Sequence, residues 1–194
     1  KMSAPARAAI LRRTFATDGD NIGVSYLRLT IGASDLNSFV FSYDDLAAGE
    51  TDFDLKRFDL GQDRKDVIPI LKEILAIAPG IKILGSPWSA PAWMKTNNNV
   101  RGGALAERCY GVYAQYLVRY VQEMRREGIT IDAITIQNEP LNSKNTPSMQ
   151  WMVNQQLQFL RDHLYPEFTK AGLKTKVILF DHNLDRPDYP LSLL

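Results

Sequence analysis

Apolar residues along the chain follow two alternating rhythms. Four short runs rich in β-branched residues, Ile22 to Ile31, Ile81 to Leu84, Ile131 to Ile136 and Lys176 to Phe180, read as strands. Between them apolar positions recur every three or four residues. Asp66 to Ala78 puts Val67, Ile70, Leu71, Ile74 and Leu75 on one helical face and stops at Pro79-Gly80. Arg108 to Glu127 does the same with Val112, Tyr116, Leu117, Tyr120, Val121 and Met124, and Gly128 stands where a left-handed residue would close a helix. Thr146-Pro147 reads as an N-cap with a first-turn proline, opening a helix through Trp151, Leu157, Leu160 and Leu164 that kinks near Pro166 and stops at Gly172. Ser3 and Pro5 open one more helix over Arg7 to Phe15. The first element is thus a helix, and a further element is expected before it.

Strands alternating with helices predict a parallel sheet with right-handed crossovers, either doubly wound or a (β/α)8 barrel. The length of 194 residues suits the former, because a complete barrel takes about 250. Neither GxGxxG nor GxxxxGK[ST] follows any strand, however, so the phosphate-cradling loops of doubly wound sheets are missing. The pattern leaves both folds open.

Composition narrows the function classes. With 45% apolar and 23% charged residues the chain is an ordinary globular one rather than a disordered one. Its 23 Lys+Arg against 22 Asp+Glu provide no basic stripe for a phosphate backbone, so nucleic acid is not an expected partner. No apolar run reaches the roughly 18 to 20 residues of a membrane span, and KMSAPARAAILRR lacks the apolar core of a signal peptide. Cys109 is the one cysteine, which excludes a disulfide within the chain, and without HExxH spacing no metal or other cofactor is expected.

In parallel α/β folds ligands bind at the carboxyl edge of the strands, and the residues following each run are polar and aromatic. They are Gly32 to Asn37, Ser86 to Lys95, Gln137 to Pro140 and Asp181 to Asn183. Carboxylates, amides and indoles gathered at strand ends suit sugars, whose hydroxyls they bind and whose C–H faces they stack on. Glu139 is the sharpest candidate. A strand-end carboxyl partly removed from water and near a second carboxylate would stay protonated as a general acid; a surface Glu in the turn before Pro140 is the other reading. Asn138 either donates its amide to a sugar hydroxyl or forms an Asx turn before the proline. The acid-rich stretch Phe41 to Lys65 reads as a solvated loop, and Thr96 to Gly103 as a flexible loop bordering a site. Trp93 fits core or ligand contact equally, and His163 falls on a helix surface.

The segments SYLRLTIGASDL, FSYDD, ILGSPWSAPAWMKTN and ITIQNEP, in that order and spacing, resemble glycoside hydrolase family 30, especially its glucosylceramidase-like branch. The likeness continues at lower density to Phe180 and Asp181. It implies a (β/α)8 TIM barrel present only in part, from about helix one to strand five, with residues 1–194 as a partial catalytic barrel. Such enzymes hydrolyse β-glycosides with retention, using one Glu as acid/base after strand four and another as nucleophile after strand seven. Glu139 then matches the acid/base and Asn138 its sugar-binding neighbour. Asp35 matches an Asp that binds hydroxyls of the nonreducing sugar, Trp88 an aromatic wall of that subsite, and Arg28 an Arg inside the barrel near both carboxylates.

Arg28 has support of its own. Val24, Tyr26, Arg28 and Thr30 share one strand face, and a guanidinium buried there needs a carboxylate partner. Strands one, six, seven and eight, and the nucleophile with them, are expected outside this chain, leaving Asp181, His182 and Asn183 either as rim residues or as supports for the residues that meet the sugar. The implied substrate is a β-glucoside such as glucosylceramide, with endo-β-1,6-glucanase activity as the alternative. A non-catalytic carbohydrate-binding fragment that keeps Asp35, Trp88 and Asn138 is the rival from another class. The resemblance further implies an extracellular, periplasmic or lysosomal setting. The remaining barrel strands, or another chain, are expected to cover the sheet edges.

Overall fold

Four strands pair in chain order, all parallel, in the computed structural model, which describes residues 2–194. They are β1 (Tyr26–Ile31), β2 (Lys82–Pro87), β3 (Ala133–Thr135) and β4 (Lys176–Ile178). Register runs from Tyr26 opposite Lys82 to Ile31 opposite Pro87, and β3 pairs Ala133 with Leu84 on one side and with Lys176 on the other. The fold is part of a (β/α)8 barrel, which decides between the two architectures that the pattern allows. No described helix is long and apolar enough to cross a membrane.

Alternation along the strands separates two faces. Ile31, Ile83, Ile134 and Ile136 point into a core shared with the helices and are almost fully buried. That core takes Ile68, Leu71 and Ile74 from α2 (Val67–Ile77) and Tyr113, Tyr116, Leu117, Tyr120 and Val121 from α3 (Tyr110–Arg126). Each fully buried aliphatic side chain contributes about 1.5–3 kcal/mol. The other face carries Tyr26, Arg28, Ser86, Thr135 and Ile178; Tyr26 and Ile178 stand open to solvent. Closure of a barrel would cover this face.

The ends of the elements depart from the apolar pattern for local reasons. β1 starts at Tyr26, not Ile22, because the N–H groups of Ile22 and Val24 donate to the carbonyls of Arg13 and Thr14 at the end of α1 (Ala4–Phe15). The Ser3 hydroxyl caps α1 at Ala6 N–H, and Gly128 follows α3 with φ +82°. Thr146-Pro147 does not open a helix. It is a cis peptide in a loop, and helix α4 (Val153–Phe159) begins six residues later, after Met149 and Trp151 have turned into the core. The Trp151 ring packs on Tyr110 and Phe159, an aromatic burial worth more than an earlier helical turn. The expected kink is a π-helical turn at Leu160–Leu164, ahead of α5 (Tyr165–Lys170). Pro166, near the start of α5, has no N–H for the usual i→i−4 bond.

The acidic stretch 41–65 is only in part a solvated loop: Asp45, Glu50, Asp54 and Asp59 are exposed as expected, but the rest is not. Asp44, Asp52 and Asp63 are buried, and so are Tyr43, Leu55, Phe58 and Leu60. Its path begins at Gly32, whose φ of +77° and 3.0 Å approach of the Phe41 carbonyl to a would-be Cβ leave no room for a side chain. Tyr43 stacks on Tyr120 and donates its hydroxyl to Asp63 Oδ2 at 2.5 Å. Trp93 belongs to this core, its indole donating to the Asp44 carbonyl at 3.0 Å. His163 is half-buried and edge-on to Tyr110.

Burial pushes the Asp63 carboxyl up to about 6 against the lowering bond from Tyr43. Burial, followed by the charge of Asp52, also raises Asp44 to about 6. Both folded values exceed the unfolded one. The stability these groups lend is therefore complete below about pH 4 and is lost as pH rises through about 6, a difference of about 3 kcal/mol for Asp63. In the full-length protein the Tm of the parent is expected to fall over that interval relative to that of the double variant Asp44→Asn/Asp63→Asn. Parallel Tm curves for the two proteins would contradict this.

Candidate active site

The inner face is knitted by one carboxylate that the strand order brings to its centre. Asp181 follows β4, and its Oδ2 lies 2.6 Å from Arg28 Nη2 on β1, 2.6 Å from Ser86 Oγ on β2 and 2.9 Å from Thr135 Oγ1 on β3. Ser86 and Thr135 also bond each other at 2.7 Å. Each strand of the sheet thus supplies one polar group to a single cluster. The carboxylate partner expected for Arg28 is present, and it is Asp181. Of the two readings of that residue, the structure favours the one in which it supports the groups around it over a place on the rim. The Arg28 side chain is 35% exposed, not buried, because nothing among the described residues closes over it.

Arg28 connects the cluster to the loops after β2 and β3. Its guanidinium lies 4.8 Å from the Trp88 ring centroid, and Nη2 donates to Asn138 Oδ1 at 2.8 Å. Because Oδ1 accepts from Arg28, the Asn138 amide N–H groups are left for another acceptor. Trp88 is 8% exposed with Arg28 against its ring, so the indole is first of all a platform for that charge. Gln137 braces the segment, its Nε2 donating to the Trp88 carbonyl at 2.6 Å and the Asn138 carbonyl at 3.0 Å.

Glu139 stands next to this group in a strained backbone. Its φ is +46°, a left-handed conformation that costs a residue with a Cβ about 1–2 kcal/mol. Four bonds hold the turn. Asn138 N–H donates to the Pro87 carbonyl, Glu139 N–H to the Asp181 carbonyl, Asn142 N–H to the Glu139 carbonyl and Trp151 N–H to the Pro140 carbonyl, all at 2.8–2.9 Å. Asp181 therefore anchors both Arg28, through its side chain, and Glu139, through its backbone. The Glu139 carboxyl is half-buried, with Oε2 accepting from Asn142 Nδ2 at 2.7 Å and Asn145 Nδ2 at 3.1 Å. Behind the site, buried Lys95 donates to the Ser148 carbonyl at 2.7 Å, and burial pushes its amine down to about 7.

Arg28, Trp88, Asn138 and Glu139 are thus brought together at the carboxyl edge of the sheet. Asp35 lies at the same edge, exposed in the turn after β1, with no side-chain partner among the described residues. An open cavity of about 510 Å³ sits at the opposite, amino-terminal edge, lined by Tyr26, Lys82, Asp132 and Lys176, away from these groups. Among the described residues, no three His, Cys, Asp or Glu side chains are placed to hold a metal ion. Ser86 and Thr135 were within reach of sequence reasoning, since strand alternation puts them on the inner face. Asn142 and Asn145 carry no such signal.

Chemically, the arrangement offers a Glu139 carboxyl with one oxygen held and the other free, an Arg28 cation that reaches the neighbouring Asn138, and unpaired amide and carboxylate groups at the rim. The glycosyl hydrolase family 30 TIM-barrel domain matches residues 1–190. An endo-1,6-β-D-glucanase of Neurospora crassa is 40% identical over 194 residues, covering 97% of this chain and 40% of its own length. The solved structure of the endo-β1,6-glucanase BT3312 superposes with a TM-score of 0.89 at 36% identity, over 99% of this chain and 44% of that one. The lysosomal acid glucosylceramidase of Mus musculus is 27% identical over 191 residues, covering 93% of this chain and 36% of its own length. The chain spans about 40% of the length of the curated relatives it matches. Endo-1,6-β-D-glucanases match at 37–40% identity and glucosylceramidases at 26–33%, which reverses the order implied by the motifs alone.

Proposed function

The chain belongs to glycosyl hydrolase family 30, and from that premise we propose that it forms one part of the barrel of a retaining endo-β-1,6-glucanase, with Glu139 as general acid/base. The observation that carries this reading is the Glu139 turn itself. A carboxyl-bearing residue held in a strained backbone after β3, next to the Asn138 that Arg28 fixes, fits a positioned proton donor. The linkage rests on the higher identity to the glucanases and on the likeness to BT3312.

In the proposed mechanism Glu139 protonates the glycosidic oxygen while a carboxylate from the rest of the barrel attacks the anomeric carbon. Water then hydrolyses the glycosyl-enzyme as Glu139 takes up its proton. Asn138 donates its free amide to a sugar hydroxyl, and Asp35 binds hydroxyls at the rim. Arg28, fixed by Asp181, keeps positive charge beside the two carboxyls without drifting toward either.

The full-length protein, assayed on β-1,6-glucan, β-1,3-glucan and glucosylceramide, is expected to show kcat/KM at least about 10²-fold higher on the first. Equal or greater kcat/KM on glucosylceramide would overturn the linkage assignment and favour the glucosylceramidase reading.

A further inference from the structure

Resting on the assignment of Glu139 as acid/base, we propose that Asn142 and Asn145 are positioning residues that hold Oε2 of its carboxyl and leave Oε1 to exchange the proton. Both amides donate to Oε2, at 2.7 and 3.1 Å, and Oε1 has no partner among the described residues. The orientation of the Asn142 amide follows from its other end. Its Oδ1 accepts the Lys144 N–H at 2.9 Å, so Nδ2 is the atom that faces Glu139. The Asn142 N–H donates to the Glu139 carbonyl at 2.8 Å, closing the loop onto the residue it orients.

The last torsion of a Glu side chain is broad and weakly determined. Two donors on one oxygen remove that freedom, because turning the carboxyl breaks both bonds. A proton donor has to keep its proton within hydrogen-bond reach of the leaving oxygen, and small misplacements cost rate steeply. In the first step the Oε1–H bond breaks as the proton bonds to the glycosidic oxygen, which departs with the electron pair of the C1–O bond while the carboxylate of the rest of the barrel bonds to C1. In the second, water gives a proton to Oε1 as its oxygen bonds to C1 and the carboxylate of the rest of the barrel leaves. Oε2 stays held throughout.

The test uses the full-length protein. Asn145→Ala removes the one side-chain hydrogen bond that Asn145 makes among the described residues, whereas Asn142→Ala also frees the Lys144 N–H; Asn145→Ala decides if Asn142→Ala does not fold. Each is expected to lower kcat/KM for β-1,6-glucan about 10-fold or more. For an aryl β-glucoside with a strongly acidic leaving group, which needs no proton, kcat/KM should change by less than about threefold. Equal losses on both substrates, or no loss on either, overturn the inference. Glu139→Gln is measured alongside. If it shows the leaving-group split and the Asn variants do not, only their positioning roles fall; if it loses both substrates equally, the assignment of Glu139 falls as well.

Discussion

Replacing Glu139 by Gln in the full-length enzyme is expected to lower kcat/KM for β-1,6-glucan by about 10²–10⁴-fold, the share of rate that a positioned acid supplies. An amide of the same shape keeps the bonds to the held oxygen's neighbours but has no proton to transfer to a sugar leaving group. Aryl β-glucosides with strongly acidic leaving groups depart unaided, so their kcat/KM should stay within about threefold. Their kcat should nevertheless fall, because the second step still needs a base to deprotonate water. Uniform loss in kcat/KM across leaving groups would give Glu139 a different role.

Residues 1–194 expressed alone are expected to turn over no β-glucoside. Retention requires two carboxyl groups about 5–5.5 Å apart. Beside Glu139 the inner face offers Asp181, whose Oδ2 is already committed to Arg28, Ser86 and Thr135. A carboxylate so engaged is a poor nucleophile, and freeing it would leave Arg28 without its partner. The outer strands β1 and β4 also present unpaired backbone edges, and exposed Tyr26 and Ile178 lie on the face that barrel closure covers. Turnover of an aryl β-glucoside by this segment, with a cooperative melt, would contradict the expectation.

What could be read from the chain, and what could not, follows the range of the forces involved. Helix α3 and the four strands are written in local periodicity, since Val112, Tyr116, Leu117 and Tyr120 need only be three or four apart to share a buried face. Glu139 and Asn138 were legible as candidates because they follow a strand, and the structure places both at the carboxyl edge of the sheet. The chain from Thr146 to Trp151 misled, because its cap signal is local while the burial of Trp151 against Tyr110 and Phe159 is not. Among the acids of 41–65, four are exposed as they look, but Asp44, Asp52 and Asp63 are buried, and Asp63 accepts from Tyr43 beside an aromatic stack that no local pattern reveals. Asp181 was visible as a strand-end residue, but its three bonds depend on the lateral order β1-β2-β3-β4, which no single segment encodes. Asn142 and Asn145 reach Glu139 through an irregular loop, and irregular loops have no period to read.

The most direct test of the central claim is the product that azide yields with Glu139→Ala. In a retaining enzyme that has lost its acid/base, the glycosyl-enzyme forms from an activated aryl β-glucoside and then stalls, and the space left by the carboxyl admits a small anion from the face that water would have used. Azide is expected to restore turnover and to give the β-glucosyl azide. An α-glucosyl azide would make Glu139 the nucleophile, and turnover unchanged by azide would remove it from the chemistry.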